Sequence, residues 1–390
     1  MKTMNTNISR LAEKVENSRI RKMFNLAAGM NDVINLGIGE PDFATPPNII
    51  LAAEEAMRTG QTHYTSNVGN RDLREAIAVK VSGENDIPAD PDKHIIITTG
   101  AMGGLFLAFQ VILDPGDEVI IPVPSWSNYI NQVMMAGGIP RLLETDISSG
   151  FDLDPDKLER IITPRTKAVL LNTPTNPTGA VMSRGVLEAV ANIAVKHNLI
   201  IVSDEVYEYF IWDNAEHVSI GSLPGMSERT VTINSLSKTY SMTGWRIGYT
   251  VAPEAVISAM VKLQENVYAC VSSIAQVAGV EALTGTRRYL HEMIDEYRRR
   301  RDFLMRSLGT IPGLSVVPSG GTFYLVADID SLETGSDEFT LRLLQDAGVC
   351  LIPGTAFGRC GREYVRISYA NSMDALKQAV ERISVFIRKM

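Results

Sequence analysis

Polar and apolar positions along the chain fall into two rhythms. Between residues 46 and 283, amphipathic stretches of helical period alternate with short, unbroken apolar runs. TPPNIILAAEEAMRTG (45–60) opens on Thr45 and two prolines and closes on Gly60, which predicts a helix. NRDLREAIAVKVSG (70–83) and SRGVLEAVANIAVKHN (183–198) repeat the pattern, the second with Ser183 as N-cap and Asn198 just past its end. Between them lie HIIITT (94–99), EVIIP (118–122), AVLLN (168–172), LIIVS (199–203) and TVTIN (230–234). These runs are β-branched, too short for helices and free of alternation, so they read as parallel strands buried on both faces. The expected fold class is α/β, a mostly parallel sheet covered by helices.

After residue 284 the rhythm changes. A helix over 286–308 is followed by GTFYLVADI, a helix DEFTLRLLQDAG, the run VCLIP, EYVRISYA and a last helix DALKQAVERISVFI. That order predicts a smaller α+β unit. In EYVRISY, Val365 and Ile367 share one face, while Tyr364, Arg366 and Ser368 share the other. Residues 16–45 have no strand-helix rhythm of their own and are expected to pack with this unit. The expected division is therefore an N-terminal arm (1–15), a small domain (16–45 with 284–390) and a large domain (46–283).

Composition narrows the class. A chain of 390 residues exceeds one ordinary core. A net charge of −8 argues against a general nucleic-acid binder. The run RRRR (298–301), with acidic residues upstream, reads as a solvated helix face. The polar start MKTMNTNISRLAEKVENSRIRKMF holds no signal-peptide core, and no apolar stretch reaches membrane-spanning length. Cys270, Cys350 and Cys360 form no CxxC pair, and the five histidines include no HExxH. A cytoplasmic, metal-free protein without membrane or nucleic-acid partners is expected.

In open α/β sheets ligands bind beyond the carboxyl ends of the strands. Here those ends carry a glycine turn (Gly100 to Gly104, with Ala101 and Met102), Trp126, Asn176, the pair Asp204 and Tyr207, and Ser235, Ser237 and Lys238. Each has a bland alternative. A glycine turn can be only a turn, a tryptophan packs, Asn before proline is turn chemistry, and a lone lysine is solvated. Their convergence on one edge is what independent caps and turns do not require. A lysine for a Schiff base, a carboxylate for a pyridine nitrogen and an anion site at a helix start together fit pyridoxal phosphate. No GxGxxG or GxxxxGK[ST] competes.

These motifs, from NLGIGEPDFATP (35–46) through HYTSNVGNRDLREAI, NPTG, SDEVY and SLSKTYSMTGWRIGY to YVRIS (364–368), make the chain resemble a fold-type I pyridoxal-phosphate aminotransferase of the aspartate and aromatic aminotransferase group. The resemblance covers nearly the whole chain. It implies that Lys238 holds the cofactor covalently and later moves a proton. Asp204 would pair with the ring nitrogen, Tyr207 and Asn176 would reach the ring oxygen, and Trp126 would lie over the ring. Ser235, Ser237, Arg246 and the backbone from Gly100 through Ala101 to Met102 would hold the phosphate. Tyr64 would reach it from the partner subunit of a homodimer. Arg366 would take the substrate carboxylate, helped by Asn176 and the Gly39 backbone. The resemblance also implies cis bonds before Pro124 and Pro177.

Ser235 and Lys238 also fit the S-x-x-K of acyl-serine enzymes, but no KTG occurs further along the chain. Within the resembled family, C–S lyase chemistry shares the cofactor set, and transamination is the preferred expectation. The substrate is open between two classes. Met102, Met23, Phe24 and Phe43 offer apolar surface, so an aromatic or bulky apolar donor is expected, with 2-oxoglutarate as acceptor and aspartate as the alternative donor. The acceptor's distal carboxylate would need a cation such as Arg19 or Arg21.

Overall fold

The computed structural model describes residues 8–390. The first seven positions, part of the expected arm over 1–15, lie outside the described residues.

A seven-stranded sheet forms the larger layer, in the order 95–98, 248–251, 230–235, 200–204, 166–172, 118–123, 139–144. All neighbours run parallel except Gly248–Val251, which is antiparallel to both of its partners. The sheet is thus mostly parallel, and helices cover it. Ile95, Ile96 and Ile97 have no exposed surface, and each such side chain contributes roughly 1.5–3 kcal/mol of apolar burial.

Five of the seven strands are those the apolar runs predict. Ile139–Glu144 is an edge strand with half of its face open, so it lacks the unbroken apolar signature. Gly248–Val251 begins on a glycine inside WRIGYT, where polar neighbours mask it. The helices Arg71–Glu84 and Arg184–Lys196 start where expected, with Asn70 and Ser183 accepting from the first-turn amides. The helix Pro47–Arg58 is entered through Pro46, while the Thr45 hydroxyl instead donates to the Ser241 carbonyl.

A four-stranded antiparallel sheet, in the order 352–353, 364–368, 324–328, 315–317, forms the second layer. The helices Arg288–Leu308 and Met373–Ile387 pack with it. Ile34–Asn35 pairs parallel with Val349–Cys350, and Met23 and Ala27 pack on Leu344, Cys350 and Ile352.

The arginine run departs from the expected solvated face. Arg298 and Arg299 are exposed, but Arg300 and Arg301 are buried. Arg300 forks onto Asp42 at 2.7 and 2.9 Å, and Arg301 pairs with both carboxylate oxygens of Asp213 at 2.9 Å. Asp42 and Asp213, far away in sequence and invisible to local charge patterning, compensate this burial together with Glu296 and Asp302 on the same helix.

Candidate active site

The strand ends meet at one level. Asn172 lies beside Asp204, and Asp204 beside Ile233, in successive strands. Asp204 borders a cavity of about 410 Å³. The side chains that the sequence singles out reach it from five directions.

Lys238 enters from a single helical turn, Leu236–Thr239, capped by Ser235, whose hydroxyl accepts from the Ser237 amide at 3.1 Å. Its Nζ donates to the Gly39 carbonyl at 2.5 Å. Burial, with Arg246 and Arg366 nearby, brings the amine down to about 8, against the opposing pull of Glu40. A fraction of neutral amine therefore exists near neutral pH.

Asp204 is buried. It accepts from the Tyr129 hydroxyl at 2.7 Å and the Val206 amide at 3.3 Å. Burial pushes its carboxyl up to about 6, against those two donors. No cation touches it among the described residues, so the site offers a buried anion to a positive partner.

Asn172 links the next two strand ends. It donates to the Asp204 carbonyl at 3.0 Å and accepts from the Asn176 amide at 2.9 Å. Asn176 in turn accepts from Arg366 Nη1 at 2.9 Å, and Arg366 Nη2 donates to the Gly37 carbonyl at 2.5 Å. Arg366 is 1% exposed, stacked over Tyr324 and Phe357, and its Nε has no partner among the described residues. A fully buried guanidinium without a carboxylate, and with one open donor, is costly unless an anion joins it. Tyr207 shares a hydrogen bond with Tyr324 at 2.9 Å.

At the opposite end, the helix Gly100–Ile112 begins with φ +64° at Gly100. A side chain there would run into the Arg246 guanidinium. The glycine lets an arginine sit against a helix N-terminus, where amides and cation together favour an anion. Ala101, Met102, Ser235, Ser237 and Trp126 line the cavity beside them, and Trp126 stands edge-on to Tyr129 at 5.4 Å. Tyr64 does not line it and is 90% exposed. The bonds before Pro124 and Pro177 are cis, and so is the bond before Pro174, which the motifs do not single out.

Tyr129 and Tyr324 are participants that sequence reasoning missed. Tyr129 stands one turn after Trp126, a spacing that could have signalled it. Tyr324 is silent in sequence, because only the antiparallel register with the strand 364–368 brings it to Arg366. A second lobe of about 370 Å³ adjoins the cavity, bounded by Ile20, Phe24, Ile38 and Ile352, with Arg21 and Glu40 at its polar side. Met23 and Phe43, expected there, are elsewhere. Met23 is buried against the strands 349–353, and Phe43 packs on Tyr297 and Arg300. Arg19 pairs with Asp337 at 3.8 Å on the surface. A larger groove, about 960 Å³, runs beside Arg342 and Arg382 and holds none of this chemistry.

The profile of the family "Aminotransferase class I and II" matches residues 31–383. An aspartate aminotransferase of Pyrococcus abyssi is 44% identical over 96% of this chain and 97% of its own length. Aromatic-amino-acid aminotransferase 2 of Thermococcus litoralis is 43% identical over 97% of each. The crystal structure of an aromatic aminotransferase from Pyrococcus horikoshii OT3 superposes with a TM-score of 0.90 at 42% identity, covering 95% of this chain and 99% of that one. Members of the family use pyridoxal phosphate. The residues present fit that group: a softened amine, a buried carboxylate without a cation, and an arginine at a helix start. With sequence, fold and site in agreement, the chain belongs to the class I and II aminotransferases, and it is a pyridoxal-phosphate-dependent aminotransferase.

Proposed function

We propose that the protein moves an amino group from an aromatic or bulky apolar L-amino acid to an acidic 2-oxo acid such as 2-oxoglutarate, with aspartate as a second donor. One observation carries this reading: the lobe beyond Lys238 is apolar on one side (Ile20, Phe24, Ile352) and holds the Arg21 cation on another. Arg21 lies over the Phe24 ring at 5.5 Å, so one cavity offers both an apolar wall and a carboxylate partner. The names of the relatives, aspartate in one and aromatic amino acids in the other, support a site of this double character.

When bound, the cofactor supplies the electron sink that makes the substrate Cα proton acidic. The chain does the rest. Arg366 forks onto the substrate α-carboxylate with Asn176 holding one arm, which orients Cα toward Lys238. Lys238 Nζ, whose proton affinity burial lowers, takes the proton and returns it. Asp204, steadied by Tyr129, would stay ionised against the ring nitrogen, while Tyr207 and Asn176 would supply donors at the ring oxygen. Trp126, which lines the cavity, would cover the ring. Arg246, Ser235, Ser237 and the Gly100–Met102 amides would hold the phosphate.

Tyr64, exposed in the single chain, fits a role in a neighbour's phosphate site and hence a homodimer. The two sheets support the division into 46–283 and 16–45 with 284–390. The three free cysteines agree with a reducing cytoplasm, and no helix among the described residues is long and apolar enough to cross a membrane. The test is kcat/KM for phenylalanine and aspartate with 2-oxoglutarate. Both should be used, phenylalanine better, and a protein that turns over aspartate alone would refute the apolar half.

A further inference from the structure

Behind the strand ends, on the side away from the cavity, lies a second set of buried ionisable groups. Glu205 directly follows Asp204 and has no exposed surface. It accepts from the Ser203 hydroxyl at 2.9 Å and the Ser219 hydroxyl at 2.5 Å, and it meets His217 Nε2 at 3.1 Å. Glu208 accepts from Lys80 Nζ at 2.5 Å, and from Asn234 and Asn85 at 2.7 Å each. Asn85 also reaches the Ser219 hydroxyl at 2.8 Å, which joins the halves.

This cluster touches the active site twice. Glu205 is one peptide bond from Asp204. Asn234 accepts the Ser235 amide at 2.7 Å, so Glu208 braces the loop that carries Lys238. Glu205, Glu208 and His217 bring ligand-type atoms within 4.8 Å of one another, but Lys80 already supplies a cation there. A metal ion would compete with an ammonium that Glu208 and Asn85 hold.

The charges that face His217 are Glu205, Glu208 and Lys80. Two carboxylates and one ammonium leave the cluster one negative charge in excess, and His217 is the group that can cancel it. Burial lowers the affinity of His217 for its proton, but the hydrogen bond and charge of Glu205, with Glu208, outweigh that and raise it.

We propose that Glu205 and His217 are positioning residues that set the charge behind Asp204, and through it the proton affinity of the cofactor-bound site. The proposal rests on Asp204 being the partner of the ring nitrogen. With His217 protonated the cluster is neutral. With His217 neutralised or replaced, a buried negative charge is uncompensated beside Asp204, and protons in the cavity are held more tightly.

The test is a charge cycle read by the visible absorbance of the cofactor-loaded protein as a function of pH, beside cofactor affinity of the apoprotein. His217→Gln should move the absorbance midpoint to higher pH, by about half a unit or more. Glu205→Gln removes the carboxylate that holds the His217 proton, so His217 becomes neutral, Lys80 and Glu208 cancel, and the midpoint should stay close to the parent. The double variant should likewise return close to the parent, undoing the shift of His217→Gln. A merely structural role would not give a shift that a second substitution at the contacting residue abolishes. No shift in His217→Gln, or a double variant that stays shifted with it, overturns the proposal. Asp204→Asn separates the two readings: a midpoint that moves there but not in His217→Gln refutes the brace alone, and one that stays put in Asp204→Asn refutes the ring-nitrogen reading. If a variant fails to fold, the His217 ring in the unaltered protein decides by NMR titration. It should keep its proton above pH 6.5, and a ring already neutral at pH 6 overturns the proposal.

Discussion

Asp204 and Glu205 are adjacent, both carboxylates and both buried, yet the strand end turns them to opposite sides. Asp204 faces the cavity, where a phenol and one amide are its donors. Glu205 faces the rear, where two hydroxyls and an imidazole satisfy it. The rear carboxylate has its charge partner built in. The front one touches no cation among the described residues, and burial raises its carboxyl from 3.8 to about 6 against its two donors. The same contrast separates Arg301, paired with Asp213, from Arg366, buried without a carboxylate. Incomplete pairing marks the places that await a ligand, and complete pairing marks the scaffold.

The largest effect should come from Lys238. Lys238→Ala removes the group that holds and moves the proton, so kcat should fall on the order of 10³-fold or more, checked by steady-state assay. The cofactor-free parent should also grow more stable between pH 8 and pH 10.5, because the folded state binds this proton less tightly than the unfolded one. Denaturant titrations across that window should lose the slope in Lys238→Ala.

Asp204→Asn should lower kcat on the order of 10²- to 10³-fold, yet stabilise the cofactor-free protein. A carboxyl whose folded proton affinity is raised supports folding below pH 3.8, and that support is lost as pH passes 6. At pH 7.5 the ionised side chain therefore burdens the fold, by an amount on the order of 3 kcal/mol. Melting of the apoprotein should rise in Asp204→Asn at pH 7.5 and little at pH 4. A variant that is less stable at both would break the front-versus-rear contrast.

Arg21→Leu should reduce kcat/KM for aspartate, and for 2-oxoglutarate as acceptor, by about 10- to 100-fold, the worth of one charged hydrogen bond. Phenylalanine should be nearly unaffected. Equal losses for all three would make Arg21 structural. The smallest effect belongs to Tyr129→Phe, which leaves Asp204 one donor short. About a tenfold loss in kcat, with raised proton affinity at Asp204, should appear in the pH-rate profile.

Much of the front is legible in the sequence, for a physical reason. Buried parallel strands advertise themselves as short apolar runs, and the residues just past the carboxyl end of each run must lie at one edge. Asp204, Asn176 and Lys238 can be placed together on that basis. Contacts made between distant segments leave no local trace. Tyr324 reaches Arg366 only through strand register, and Arg300, paired locally with Glu296, is joined by Asp42 from a distant segment. The rear cluster is equally invisible, since Lys80 and Asn85, at one helix end, meet Glu208, Ser219 and His217 from far along the chain only on folding. The lobe that sorts substrates is half legible. Phe24 supplies apolar surface there as its sequence position suggests, while Met23, its neighbour, points into the core.

The central claim is that the front of the strand ends performs transamination. The most direct measurement mixes protein loaded with pyridoxal phosphate with phenylalanine and no acceptor, and counts the oxo acid formed per subunit. One equivalent is the predicted result, restored to continuous turnover by adding 2-oxoglutarate and absent in Lys238→Ala. Many equivalents without acceptor, or none with either phenylalanine or aspartate, would contradict it.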